Sequence, residues 1–138
     1  MTAYTLPGIF QLSNMKLLEI YRCLCDETRL RILHLLRQGP LCVCHFQTIL
    51  DAPQVAISKH LAYLRERGLV AAQRHEQWMI YRLPDSASPE LDLQLRCLQD
   101  CVQTYPVFRE DLKRLKKIRC ECEWLEEVVP AKAKGRRP

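Results

Sequence analysis

The sequence predicts a mostly α-helical chain with one small β-hairpin, a winged helix-turn-helix dimerised through its terminal helices. Three observations carry this reading. Two short helices are separated by the tight break Asp51-Ala52-Pro53, and the second opens with polar and basic side chains. A period-two segment rich in β-formers follows over residues 69–83. Two apolar seams at helical spacing then occupy residues 91–129.

Each element has its own signal. Asn14 is placed to cap a first helix carrying Leu17, Leu18, Tyr21 and Leu24. Asp26 caps a second with the apolar stripe Leu30, Ile32, Leu33 and Leu36, and Gly39-Pro40 stops it. A short third helix is expected over Val43–Leu50. The fourth spans residues 53–67, with Pro53 at its first helical position and Gly68 ending it. Residues 70–74 and 78–83 form the hairpin, turning at His75-Glu76-Gln77. Trp78, Ile80 and Arg82 fall on one side of its second strand, and Met79, Tyr81 and Leu83 on the other. No glycine marks the turn, so its type stays open. Ser88-Pro89 starts a fifth helix, with Leu91, Leu95, Leu98, Val102 and Tyr105 on one seam. After Pro106 a last helix carries Phe108, Leu112, Leu115, Ile118, Cys122, Leu125 and Val129. A domain this small needs little of these two helices for its own core, which makes them dimerisation elements.

Size and composition limit the functions. A length of 138 residues with 48% hydrophobic and 27% charged side chains suits one modest core, without room for a second, catalytic domain. The net charge of +5 is a mild excess that fits a nucleic-acid partner. No apolar run reaches the length of a membrane span. Residues 1–12 lack the basic start and apolar stretch of a secretory signal, so a cytoplasmic location is expected. In that reducing setting the eight cysteines point to metal or redox chemistry rather than disulfides. No Cys-x-x-Cys, strand–helix–strand unit or nucleophile–base pair supports an enzyme.

The fourth helix presents the candidate DNA-reading residues. Gln54 matches adenine, Val55 a thymine methyl, Lys59 guanine or a phosphate, and Ser58 adapts to several partners. His60 is a further DNA contact, and Arg65 and Arg67 reach phosphates. Leu61 and Leu64 face the other way and anchor the helix.

These residues resemble the ArsR/SmtB family of metal-responsive winged-helix repressors. The matching stretches are Asp26-Glu27-Thr28-Arg29-Leu30-Arg31-Ile32-Leu33, Leu41-Cys42-Val43-Cys44, Gln54 with Ser58-Lys59-His60-Leu61, Leu64-Arg65-Glu66-Arg67-Gly68-Leu69-Val70, and Trp78 with Tyr81-Arg82-Leu83. With flanking helices the resemblance covers residues 10–105. It implies a homodimer that binds a palindromic operator in double-stranded DNA and leaves it when an ion binds. It also makes the hairpin a wing, with Arg74 and His75 near the minor groove or backbone. The organisation expected is then residues 1–105 as a DNA-binding and dimerisation domain, 106–129 as a C-terminal helix and 130–138 as a basic disordered tail.

Cys42 and Cys44 are the sharpest chemical feature, because a helix N-terminus stabilises thiolates and thiolates bind soft ions. Residues two apart on a helix of about 3.6 residues per turn diverge by about 200°. Both sulfurs therefore reach one ion only if the first turn unwinds or Cys42 lies outside it. The resemblance implies an inducer such as arsenic(III) or antimony(III), with soft divalent cadmium or lead, or a thiol-redox response, as alternatives; no organic cofactor is implied. Many arsenite sensors of the family carry a third cysteine three residues after the second. Here that position is Gln47, and His45 replaces an aspartate, leaving His45 a borderline ligand. A third thiolate is expected from Cys120 or Cys122, with Cys97 and Cys101, four apart on one helix face, as second choice. Cys122 also fits the apolar seam, and Cys23 and Cys25 read as core. Residues 88–105 lack the paired acidic and histidine spacing of zinc sensors.

Overall fold

The computed structural model describes residues 16–85 and 88–121, apart from the side chains of residues 119–121. Six helices and three strands are formed among them. In chain order they are α1 (Lys16–Leu24), α2 (Glu27–Leu36), β1 (Leu41–Cys42), α3 (Val43–Leu50), α4 (Gln54–Glu66), β2 (Ala71–His75), β3 (Trp78–Arg82), α5 (Pro89–Cys101) and α6 (Pro106–Glu121). Together they make a winged helix-turn-helix, mostly α with a small sheet. Asn14, Leu125, Val129 and the 130–138 tail lie outside the described residues.

Helix α2 is the hub. Asp26 caps it, its side chain accepting the Arg29 N–H at 3.0 Å. Ile32, Leu33, His34, Leu35 and Leu36 are all buried. The expected stripe is wider than an amphipathic helix needs because α1, α3, α4, α5 and α6 all pack on α2.

The helix-turn-helix is α3, a tight turn, and α4. Asp51 adopts the left-handed conformation (φ 51°) that closes α3. Pro53 occupies the N-cap, with φ −70° and ψ 152°, one position earlier than the expected first helical place. At either position its missing N–H leaves no helical bond unmade. Gly68 ends α4 at φ 77°, and the Leu69 N–H returns to the Leu64 carbonyl at 3.0 Å.

The sheet has the order β1-β3-β2, all antiparallel. Its third strand was not anticipated: Leu41 pairs with Tyr81 and Cys42 with Ile80. The hairpin turn is also shorter than expected. His75 pairs with Trp78, which leaves Glu76-Gln77 as the connection. Glu76 takes φ 57°, where glycine is usual, and this is the form a two-residue turn needs to follow the strand twist. The predicted two-sided alternation of β3 is blurred. Ile80 is buried while Met79, Tyr81 and Arg82 are all half-buried, because β3 is the middle strand.

Both C-terminal helices contribute to the chain's own core. Leu91, Leu95 and Leu98 of α5 and Phe108, Leu115 and Ile118 of α6 join one cluster with Ile32, Phe46 and Leu61. These six seam residues therefore pack within the chain, while Tyr105 of the first seam stands exposed. Helix α6 is further fixed by a two-bond pair, Arg31 donating to Asp111 at 2.8 and 2.7 Å. Asp111 is buried, and this hydrogen bond raises the Arg31 pKa, so the cation persists. Arg114 donates to the Ile49 carbonyl at 2.8 Å, tying α6 to the end of α3. The large apolar side chains left exposed on α1 and α5 are Leu17, Tyr21 and Leu93. No described helix is long and apolar enough to cross a membrane.

Candidate metal centre and nucleic-acid interface

Ile57, Leu61 and Leu64 bury one face of α4, as their spacing requires. The exposed side chains of its first turns include Gln54, Val55 and Lys59. Val55 is 66% exposed, a bulky apolar side chain that the fold itself does not use. Ser58 is half-buried. His60 is also half-buried, its Nδ1 4.0 Å from Asp26 Oδ1 at the start of α2. Arg65 is exposed. Arg67 is engaged within the chain. Its guanidinium stacks on the Tyr63 ring at 3.5 Å, donates to the Tyr63 carbonyl at 3.1 Å and pairs with Glu19 at 3.7 Å. Arg67 is the C-cap of α4, one turn after Tyr63, which places its side chain over that ring. On β2, Arg74 is exposed and His75 half-buried, and Trp78 stands exposed across the turn.

The thiol pair lies where β1 becomes α3. Cys42 is the N-cap of α3 and has extended backbone (φ −100°, ψ 168°), whereas Cys44 is inside the helix. Of the two ways the sulfurs could converge, the chain therefore has Cys42 outside the helical turn. Cys42 is buried, Cys44 is partly exposed and His45 is buried. One ligand atom from each of the three lies within 4.8 Å of the others. Cys42 Sγ is 3.2 Å from His45 Nδ1 and 3.9 Å from Nε2. The backbone N–H of Cys42 donates to the same Nδ1 at 3.2 Å, so His45 reaches back to close the N-terminus of α3. That bond requires an unprotonated Nδ1, which in the neutral ring puts the proton on Nε2.

Two thiols and an imidazole fit a soft or borderline cation by donor type. The site touches both elements expected to read DNA: α3 packs against α4, and Cys42 pairs with Ile80 in the hairpin. This sheet connection was invisible in the sequence, because Leu41-Cys42 is too short to show a period.

The other cysteines separate. Cys23 is buried, and burial pushes its thiol pKa up, which suits packing over reactivity. Cys25, expected in the core, is exposed, because it sits in the link between α1 and α2 rather than on a packed face. Cys97 is exposed and Cys101 half-buried; burial, then the neighbouring Cys97, pushes the Cys101 thiol up. Cys120 belongs to α6 but its side chain lies outside the described residues, as does the whole of Cys122.

Residues 26–72 match the model of the bacterial regulatory protein, arsR family. The chain is 44% identical over 91 residues to an arsenical resistance operon repressor of Escherichia coli, covering 62% of this chain and 78% of that protein. It is 39% identical over 87 residues to an arsenic resistance transcriptional regulator of Pseudomonas putida, covering 62% of this chain and 68% of the relative. Among solved structures it resembles a homodimeric winged helix-turn-helix DNA-binding domain from Mycobacterium bovis. The TM-score there is 0.54 at 26% identity, over 64% of this chain and 79% of that one.

Proposed function

The chain belongs to the arsR family of bacterial regulatory proteins, transcriptional regulators and not enzymes, and on that premise we propose an arsenite- or antimonite-released repressor that binds a palindromic operator as a cytoplasmic homodimer. The observation that carries the reading is the position of Cys42 and Cys44. They stand at the junction of the helix that supports the recognition helix and the strand that extends the wing. Moving this junction moves both DNA-reading elements.

Recognition is assigned to Gln54, Val55, Ser58 and Lys59, with His60, Arg65, Arg74 and His75 as flanking contacts. Exposure of Gln54, Val55, Lys59, Arg65 and Arg74 supports this. The names of the two arsenic-resistance relatives support the choice of ion. Arsenic(III) prefers three thiolates, and Gln47 supplies none, so Cys120 or Cys122 is proposed to complete its shell. Release follows by linkage: the ion must favour the shape that DNA disfavours, and DNA then weakens the ion by the same factor. Residues 1–105 are read as the regulatory domain proper, with α6 docked on it.

The test is binding to the chain's own promoter region in the presence of arsenite, antimonite, cadmium or peroxide. Wild type, Cys42→Ser, Cys44→Ser and Cys120→Ser/Cys122→Ser are compared. The first two single variants are expected to hold DNA and ignore arsenite, and the double variant to respond weakly. Full arsenite response in both single variants moves the sensor elsewhere. Release by peroxide but not by arsenite replaces the ion with a thiol-redox signal.

A further inference from the structure

We propose that His45 is the third ligand of the Cys42/Cys44 site, which makes it a two-thiolate, one-imidazole set for a thiophilic divalent cation of the zinc–cadmium class. The inference rests on reading Cys42 and Cys44 as the sensor, and adds a second class of ion to it.

The geometry supports the third ligand directly. A tetrahedral ion with metal–sulfur bonds of about 2.3 Å and metal–nitrogen bonds of about 2.0–2.1 Å spaces its donors about 3.5–3.8 Å apart. The three donor atoms already lie within 4.8 Å of one another, and Cys42 Sγ and His45 Nδ1 are 3.2 Å apart. These separations are close to those that such an ion requires. Cys42 and His45 are buried, and partly exposed Cys44 leaves an entry side and room for a fourth, exchangeable ligand.

Donor chemistry then selects the ion. Sulfur with imidazole excludes magnesium and calcium, which require oxygen. Arsenic(III) finds only two of its three thiolates here, whereas zinc or cadmium accepts the imidazole as it stands. Nδ1, the nitrogen nearer the sulfur, is also the acceptor of the Cys42 N–H. The ion and the cap of α3 therefore compete for one atom. A divalent ion removes the closure of α3 at the residue that joins it to the wing, and no distant cysteine is required.

The experiment separates ligand from cap. Glutamine at this position is the usual capping-box partner and keeps an acceptor for the Cys42 N–H, but it is a poor ligand for a thiophilic ion. Cadmium, zinc and arsenite are titrated into the reduced full chain as wild type, His45→Gln, Cys42→Ser and Cys44→Ser. Affinity, thiolate-to-cadmium charge transfer and the imidazole ¹⁵N resonances are followed. His45→Gln is expected to weaken cadmium and zinc by at least the roughly 10–100-fold typical of losing even an outer-shell partner. Its charge-transfer band from two thiolates should persist, and its arsenite affinity should hold. In wild type, cadmium should shift one ring nitrogen of His45. Unchanged cadmium and zinc affinity in His45→Gln, with both lost in Cys42→Ser, overturns the third ligand and leaves the thiol pair standing. An equal loss for arsenite also overturns it, since His45 is then structural. Unchanged affinity in all three variants overturns the site itself.

Discussion

At the scale of single residues, His34 is a buried polar side chain that takes no part in the proposed site. It is buried against Phe108, ring centroids 5.0 Å apart, with neither ring nitrogen hydrogen-bonded among the described residues. Burial lowers its pKa below 6.5, only partly opposed by the Asp111 charge. The unfolded chain then binds more protons than the folded one as pH falls below 6.5, so stability drops there and levels off below the depressed folded value. His34→Leu should flatten this part of the profile and match or exceed wild-type stability at neutral pH, because two buried nitrogens disappear. Urea midpoints between about pH 5 and 8 measure it; parallel profiles for the two proteins rule the assignment out. Nothing in the sequence separated His34 from an ordinary neighbour of the apolar stripe. Its isolation comes from the packing of α6 over α2.

At the scale of elements, helix starts and stops were legible because they are local. Asp26 and Ser88 cap where they were expected to, Ser88 Oγ accepting the Leu91 N–H at 3.2 Å. Asp26→Ala should therefore cost about 1 kcal/mol of stability, within the range of about 0.5–2 kcal/mol seen for such caps. Chemical denaturation reads this, and a change near zero would show that Glu27 or solvent replaces the cap. Strand β1 was not legible, since two residues carry no period and their partners, Ile80 and Tyr81, are distant in sequence. The two-residue turn was missed for a related reason. Glu76 gives no glycine signal, yet the antiparallel register of β2 and β3 places it at positive φ.

At the scale of the whole molecule, α6 is a buttress. Its apolar residues fill the core, Asp111 holds Arg31, and Arg114 covers the last turn of α3. Since Leu91, Leu95, Leu98, Phe108, Leu115 and Ile118 pack within the chain, the proposed dimer is expected to draw on side chains that remain exposed: Leu17 and Tyr21 on α1 and Leu93 on α5, which is 63% exposed. The two helices are already joined here, Gln94 donating to the Tyr21 hydroxyl at 3.3 Å. Leu93→Glu should weaken self-association by about 2 kcal/mol or more, from lost apolar burial and the desolvation of a charge. Sedimentation velocity over a concentration series checks this, alongside a circular dichroism spectrum that stays native. An undiminished dimer would put the interface on another face.

The sequence by itself determined the order and kind of most elements, the helix-turn-helix and the Cys42/Cys44 pair, because caps, turn residues, periodicity and spacing are written within a few residues of one another. Tertiary structure alone decided that Leu91, Leu95, Leu98, Phe108, Leu115 and Ile118 pack inward, that Arg31 pairs with Asp111, and that Cys42 is a strand partner of the wing. Each of these depends on which surfaces meet. The packing of α6 and the pairing of β1 join residues far apart in the chain, and no local pattern records such meetings.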